Sequence, residues 1–272
     1  MRKPLSCREI LCGELREDLN LSYSGVVLDR ANIFPDSLAH GFSDRLGGVS
    51  RGRYASLNVS AKWGDEPAAV AENHRRIAGA GGFDLKTLCL VRQVHSAKVI
   101  RACEATEESE ADAIWAHRDD PPAVVGVLTA DCVPVLLADA DATVWAAIHS
   151  GWKGTVAGIV PAAVRALVGV GIEPGELRAA IGPCISLDAF EVGPEVACQF
   201  PEEVVERSRF ARPHVDLVAM VQRQLLAAGV RPENVERVGG CTHTDARRYF
   251  SYRRDGAGIG QHLAFIGGRE GR

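Results

Sequence analysis

The chain has 272 residues, 46% hydrophobic and 24% charged, with a formal net charge of −4, a globular balance that excludes a disordered or fibrous chain. Mild acidity excludes general affinity for nucleic acid or anionic membrane, so an anionic substrate needs a local basic pocket. Eight cysteines at 7, 12, 89, 103, 132, 184, 198 and 241 form no Cys-x-x-Cys pair, no run reaches the ~20 apolar residues of a membrane span, and MRKPLSCREILCGELRED lacks a signal-peptide core, so a reduced, cytoplasmic protein is expected.

Residues 1–20 read as a lead-in and 21–272 as a single domain. LSYSGVVLDR (21–30) and HGFSDR (40–45) are expected strand pieces among glycine turns. Residues 65–82 predict a helix, with Asp65 as cap, Pro67 in the first turn and Gly81-Gly82 as stop. Residues 88–149 are strand-rich, in the runs LCLVRQVH, VVGVLT, VPVLLAD and VWAAIH. A second helix is expected at 155–168, starting late or kinked at Pro161. A third spans 214–228 and ends at Gly229, and RVGGCTH (237–243) and HLAFIGG (262–268) read as closing strands.

Three reactive residues lie in or beside the apolar runs: His95 in VRQVHSAKVI, Cys132 after VVGVLTAD, and His149 at the end of VWAAIH. Taken singly, each has an ordinary reading as a buried hydrophobe or a hydrogen-bonded histidine. Taken together, two imidazoles and a thiolate are three protein ligands with a fourth position free, the count of a catalytic zinc site. Asp131 puts a carboxylate inside the apolar stretch, where it needs a partner, and a metal-bound neighbour would supply one. Cys132 with His149 also fits a thiol nucleophile and its base. His74 reads as packing, His117 as exposed, and Cys241 with His243 as a weaker second pair. For anions, the turn Asp44-Arg45-Leu46-Gly47-Gly48 offers backbone N–H groups beside Arg45 and Gly48, with Asn58 following. Lys153 stands just past His149, and Arg253 belongs to the arginine- and aromatic-rich ARRYFSYRRDG (246–256).

HGFSDRLGGVSRGRYASLN, RQVHSAKV, ADAIWA, LTADCVPVLLAD, AAIHSGWKGTVAGIV, IGPCISLDAFEVGPEV, CTH and YFSYRRDG occur in that order across residues 40–256. In these segments the chain resembles the laccase-domain proteins, a family known both as multicopper polyphenol oxidases and as bacterial purine nucleoside phosphorylases. The resemblance implies an α+β fold in which mixed β-sheets form a sandwich-like core flanked by helices (α/β/β/α), similar to deamidating-toxin catalytic domains. It implies His95, Cys132 and His149 as ligands of one Zn2+ per chain, with Cu2+ as the alternative. It implies phosphorolysis of adenosine, inosine, guanosine and methylthioadenosine, and deamination of adenosine. On this reading Asp131, Cys132 and His149 are catalytic, with Asp131 moving protons, while Arg45, Gly48, Asn58, Lys153 and Arg253 contact substrate or phosphate. The partners are then a purine nucleoside and phosphate, with no nucleic acid and no membrane, for a monomer or homodimer. A copper polyphenol oxidase is one alternative, although no His-x-His pair occurs. A cysteine or metal hydrolase editing peptidoglycan precursors is another. Ile259-Gly260-Gln261 stands where the family commonly has Thr-Gly-Arg, a departure that bears on substrate preference.

Overall fold

The computed structural model describes residues 25–106 and 108–269, so the expected lead-in and the start of the 21–30 strand lie outside the described residues. The strands are β1 (Leu28–Asp29), β2 (Leu38–Ser43), β3 (Leu88–Cys89), β4 (Val99–Arg101), β5 (Ala113–His117), β6 (Val124–Thr129) and β7 (Val133–Ala138). They continue with β8 (Val144–Ser150), β9 (Arg178–Ile181), β10 (Val205–Glu206), β11 (His214–Val215), β12 (Val235–Arg237) and β13 (His262–Gly268). The helices are α1 (Pro67–Gly81), α2 (Trp152–Val156), α3 (Ile159–Val168), α4 (Pro194–Ala197), α5 (Leu217–Ala227) and α6 (Tyr252–Asp255).

Two mixed sheets face each other, one ordered β1-β2-β13-β6-β3 and the other β12-β9-β7-β8-β5-β4. Alternation along the strands builds the layers. On β7, Leu136 and Ala138 turn inward with Trp145 and Ala147 of β8 to meet Phe42, Val125, Val127, Ala264 and Ile266 of the facing sheet. The intervening Val133, Val135, Leu137, Ala146 and Ile148 face outward and pack under Ile159, Val160 and Val164 of α3 and Leu217, Val221 and Leu225 of α5. Ile77 and Ala78 of α1 cover the other outer face against Leu88, Val124 and Phe265. The four layers are therefore α/β/β/α, as the family resemblance implied. Central strands β7 and β8 are buried at every position, because each has a layer on both faces. Among the described residues no helix is long and apolar enough to cross a membrane.

Several expected elements differ. Gly82 ends α1 in the left-handed region at φ +74°, but the N-cap is Glu66. Asp65 instead turns inward, accepting from Ser50 Oγ (2.6 Å) and Asn58 Nδ2 (2.8 Å). The helix expected at 155–168 does start late, at Ile159, with Pro161 in the first turn of α3, but a separate short helix α2 precedes it, the two divided at Gly158, which is left-handed at φ +81°. The third helix begins at Leu217 rather than 214, since Asp216 caps it by accepting from Ala219 N and His214-Val215 forms β11. RVGGCTH is not a strand: β12 ends at its first residue, Arg237, and Val238-Gly239-Gly240 lead away from it. HLAFIGG is β13 throughout.

Candidate metal centre

Three strands end side by side and carry the centre. In the antiparallel β7–β8 pair, Pro134 lies opposite His149 and Val133 opposite Ser150. Continuing that register puts Cys132, just before β7, across from Gly151. In the β5–β8 pair, Ala113 lies opposite Ile148, and Asp112, just before β5, receives the His149 N–H on its carbonyl at 2.7 Å. His95 arrives from outside the sheet. The expected strand over 91–100 is a turn there, with only Val99–Arg101 extended as β4. Gln93 anchors that turn by pairing its side-chain amide with both backbone groups of Leu128, at 2.8 and 2.7 Å.

The ligand atoms of His95, Cys132 and His149 all lie within 4.8 Å of one another, the one such group of His, Cys, Asp or Glu among the described residues. Cys132 Sγ is 3.9 Å from His95 Nε2, and the two imidazoles meet edge to face with centroids 4.7 Å apart. Exposure is graded, with His149 buried, Cys132 half-buried and His95 exposed, so the group opens to solvent on one side. Gly151 keeps the space clear: a Cβ there would stand 2.7 Å from His95 Cδ2 and 2.9 Å from Cys132 Sγ.

Electrostatics prepare the donors. Burial alone would raise the Cys132 thiol, but the charge of His149 and hydrogen bonds from His149 and His95 outweigh it and lower the thiol. Burial would lower His149, but the Cys132 thiolate and the Asp112 carboxylate outweigh it and raise the imidazole. Asp112 is fully buried, yet hydrogen bonds from His149 and Ser96 overcome that burial and hold it down at about 2. Its Oδ1 accepts from His149 Nδ1 at 2.8 Å, which leaves Nε2 to face the cluster. Two nitrogens and a thiolate, with a clear fourth side and an oriented imidazole, suit a divalent transition metal such as zinc.

Asp131 is anchored by different groups from those its sequence context suggested. At φ +92°, it accepts from Thr242 Oγ1 (2.6 Å), Ser251 Oγ (3.0 Å) and Arg253 N (2.7 Å). Its partners are two hydroxyls and an amide rather than a metal-bound neighbour. This ties the 242 loop and the first turn of α6 to the residue preceding Cys132. Arg253 is exposed beside this anchor, with its guanidinium over Phe190 and Nη1 donating to Glu191 O at 2.6 Å. Lys153 is exposed on the first turn of α2, two residues past Gly151.

The polar groups of the other expected anion contacts are committed within the protein. Arg45 donates to Ala55 O through Nε and Nη2 and to Ala246 O through Nη1, and it lies over the Phe250 ring. The Gly48 N–H donates to Ser56 Oγ. Asn58 is wholly buried, donating to Ser60 O and Asp65 and accepting from the N–H groups of Ser60 and Gln261. These three staple the 45–58 loop. Cys241 and His243 do not form a second metal group: Cys241 Sγ accepts from Ser186 N at 3.3 Å.

Asp112, Gln93 and Gly151 escaped the residue-by-residue reading. For Asp112 the available signal was a carboxylate abutting the apolar strand AIWA, the same signal that singled out Asp131.

A family model described as multi-copper polyphenol oxidoreductase laccase matches residues 39–269. A purine nucleoside phosphorylase of Deinococcus radiodurans is 40% identical over 236 residues, covering 85% of this chain and 89% of the relative. The adenosine deaminase RL5, from an unknown prokaryotic organism, is 34% identical over 243 residues, covering 83% of this chain and 92% of the relative. The crystal structure of YlmD from Geobacillus stearothermophilus is similar with a TM-score of 0.79 at 29% identity, covering 88% of this chain and 94% of that one.

Proposed function

Because the chain belongs to the multi-copper polyphenol oxidoreductase laccase family, we propose that it is a zinc-dependent purine nucleoside phosphorylase with adenosine deaminase activity, working in the cytoplasm. The observation that carries this reading is the His95, Cys132 and His149 group, oriented by Asp112 and open on one side. The substrates follow from what the similar proteins are named for. One Zn2+ per chain, held by those three residues, supplies Lewis acidity when bound.

The chain's own residues supply the rest. Phosphate enters beside Lys153 and Arg253, exposed cations on the α2 segment that follows Gly151 and on the α6 turn that Asp131 anchors. In phosphorolysis a phosphate oxygen bonds to C1′ of the ribose as the C1′–N9 bond breaks, and the electron pair leaves with the purine, which takes up a proton. Lys153 and Arg253 hold the phosphate for in-line attack and offset its charge. Asp131 holds Arg253 in place by accepting from its amide, and from Ser251, on Oδ2, while Oδ1 accepts from Thr242.

The test is chromatography after incubation of purified protein with adenosine, with and without phosphate. Adenine with ribose-1-phosphate, in phosphate only, is the expected phosphorolysis product, and inosine is expected from deamination. No nucleoside turnover by zinc-loaded protein rejects the reading.

A second reading has its own observation. Cys132, His149 and Asp112 stand in the order of thiol, base and orienting carboxylate, the arrangement of a cysteine hydrolase. Amide hydrolysis of a peptidoglycan precursor that survives chelation but not thiol alkylation would favour it. Phenol oxidation by copper-loaded protein would favour the polyphenol oxidase.

A further inference from the structure

The ring of His149 and the backbone of His95 converge on one carboxylate. Oδ1 of Asp112 accepts from His149 Nδ1 at 2.8 Å and from His95 N at 2.9 Å. Oδ2 accepts from Ser96 N (2.6 Å), Ser96 Oγ (2.8 Å) and, more weakly, Val94 N (3.3 Å). Three successive N–H groups of the His95 turn thus point into the side chain that orients the other histidine. We propose that Asp112 is a positioning residue that couples the two ligand histidines, so that His95 and His149 hold zinc as one unit.

The turn needs such an anchor. His95 adopts φ +60°, a conformation disfavoured for any residue with a Cβ, and such a residue persists where its surroundings over-determine it. Here the surroundings are Asp112 and the Gln93 clamp on Leu128. On the other side, a proton held between His149 Nδ1 and a carboxylate leaves Nε2 with its lone pair toward the cluster. Asp112 is fully buried, and five donors surround its two oxygens, so a neutral replacement cannot satisfy both the His149 ring and all the donors of the turn. Asparagine has one acceptor oxygen, and its NH2 would face the N–H groups of the turn. The ring of His95 makes no hydrogen bond to Asp112, so an effect of residue 112 that passes through His95 travels along the turn.

The inference rests on the zinc reading of the centre, and the test separates the two. Zn2+ alone is titrated against a chelator with the wild type, Asp112→Asn, His95→Ala, the double variant and Ser96→Ala. Circular dichroism and thermal melts of the metal-free proteins monitor folding. Asp112→Asn is expected to weaken zinc binding about 10- to 100-fold. In the His95→Ala background the same change should weaken it by a factor at least about threefold smaller, because one of its two routes is gone. Ser96→Ala removes one donor, leaves the backbone intact, and should weaken binding about two- to fivefold. Folded Asp112→Asn that binds zinc within about twofold of wild type, or losses from Asp112→Asn and His95→Ala that multiply in full, overturns the coupling while the zinc reading stands. Should Asp112→Asn not fold, unchanged affinity in Ser96→Ala overturns it. Wild type that takes up no zinc overturns both.

Discussion

Of the three proposed ligands Cys132 is the one that brings negative charge to the group, so its loss should be the most severe at the centre. Cys132→Ala is expected to lose zinc stoichiometry in elemental analysis and to lower kcat by at least about 10²-fold, in a protein that still melts cooperatively. Arg253→Ala should keep the metal and raise KM for phosphate about tenfold or more, with a smaller change in KM for the nucleoside. Metal loss in Arg253→Ala would place that residue with the ligands instead. The ligand residues were legible because a histidine or cysteine at the edge of an apolar run is chemically conspicuous. Arg45 and Asn58 are less legible for the converse reason. A glycine turn with an arginine is written the same way whether the guanidinium faces an anion or, as here, the carbonyls of Ala55 and Ala246. Asn58 looks available in ASLNVS, yet all its hydrogen-bonding capacity is spent inside the loop.

Among the elements, the junction of β8 with α2 matters most. The chain passes from His149 through Gly151 into a short helix within three residues. Gly151→Ala places a methyl group against both His95 and Cys132, at 2.7 and 2.9 Å before any shift. Zinc affinity should fall at least about tenfold by chelator competition. Gly158→Ala is the contrast. It forces a left-handed φ of +81° on alanine between α2 and α3, so it should lower stability by about 1 kcal/mol in a urea titration and leave zinc affinity unchanged. Strands β6, β7, β8 and β13 could be read directly, since each is a short apolar run bounded by polar or turn residues. The His95 turn could not. VRQVHSAKVI has the composition of a strand, but Asp112 and Leu128 recruit its N–H groups and the Gln93 amide, and neither partner is local.

The whole molecule buries polar groups between its layers, and this sets its response to acid. His74 lies on the buried face of α1 and His262 opens β13; burial drives both down to about 4, only partly opposed by bonds to Val59 O and Phe250 O. In the unfolded chain both titrate near 6.5. The folded state therefore binds fewer protons than the unfolded one between these values. Their contribution is complete above about pH 6.5 and is lost as pH falls toward 4, at about 1.4 kcal/mol per unit for each group. Urea midpoints measured in this window should fall by an amount equal to a few kcal/mol, and His74→Gln should flatten the slope. A flat profile in the wild type would show that neither histidine is held neutral. By itself the sequence determined the reactive residue types, the apolar alternation that makes two stacked sheets, and the amphipathic stripes of α1, α3 and α5, because burial periodicity and chemical type are local properties. Only the tertiary structure decided that the ends of β5, β7 and β8 fall in line, that one carboxylate serves two histidines, and that Arg45 and Asn58 brace a loop. Those outcomes depend on strand register and on long-range hydrogen-bond partners, and a buried polar group takes its role from the neighbour that satisfies it.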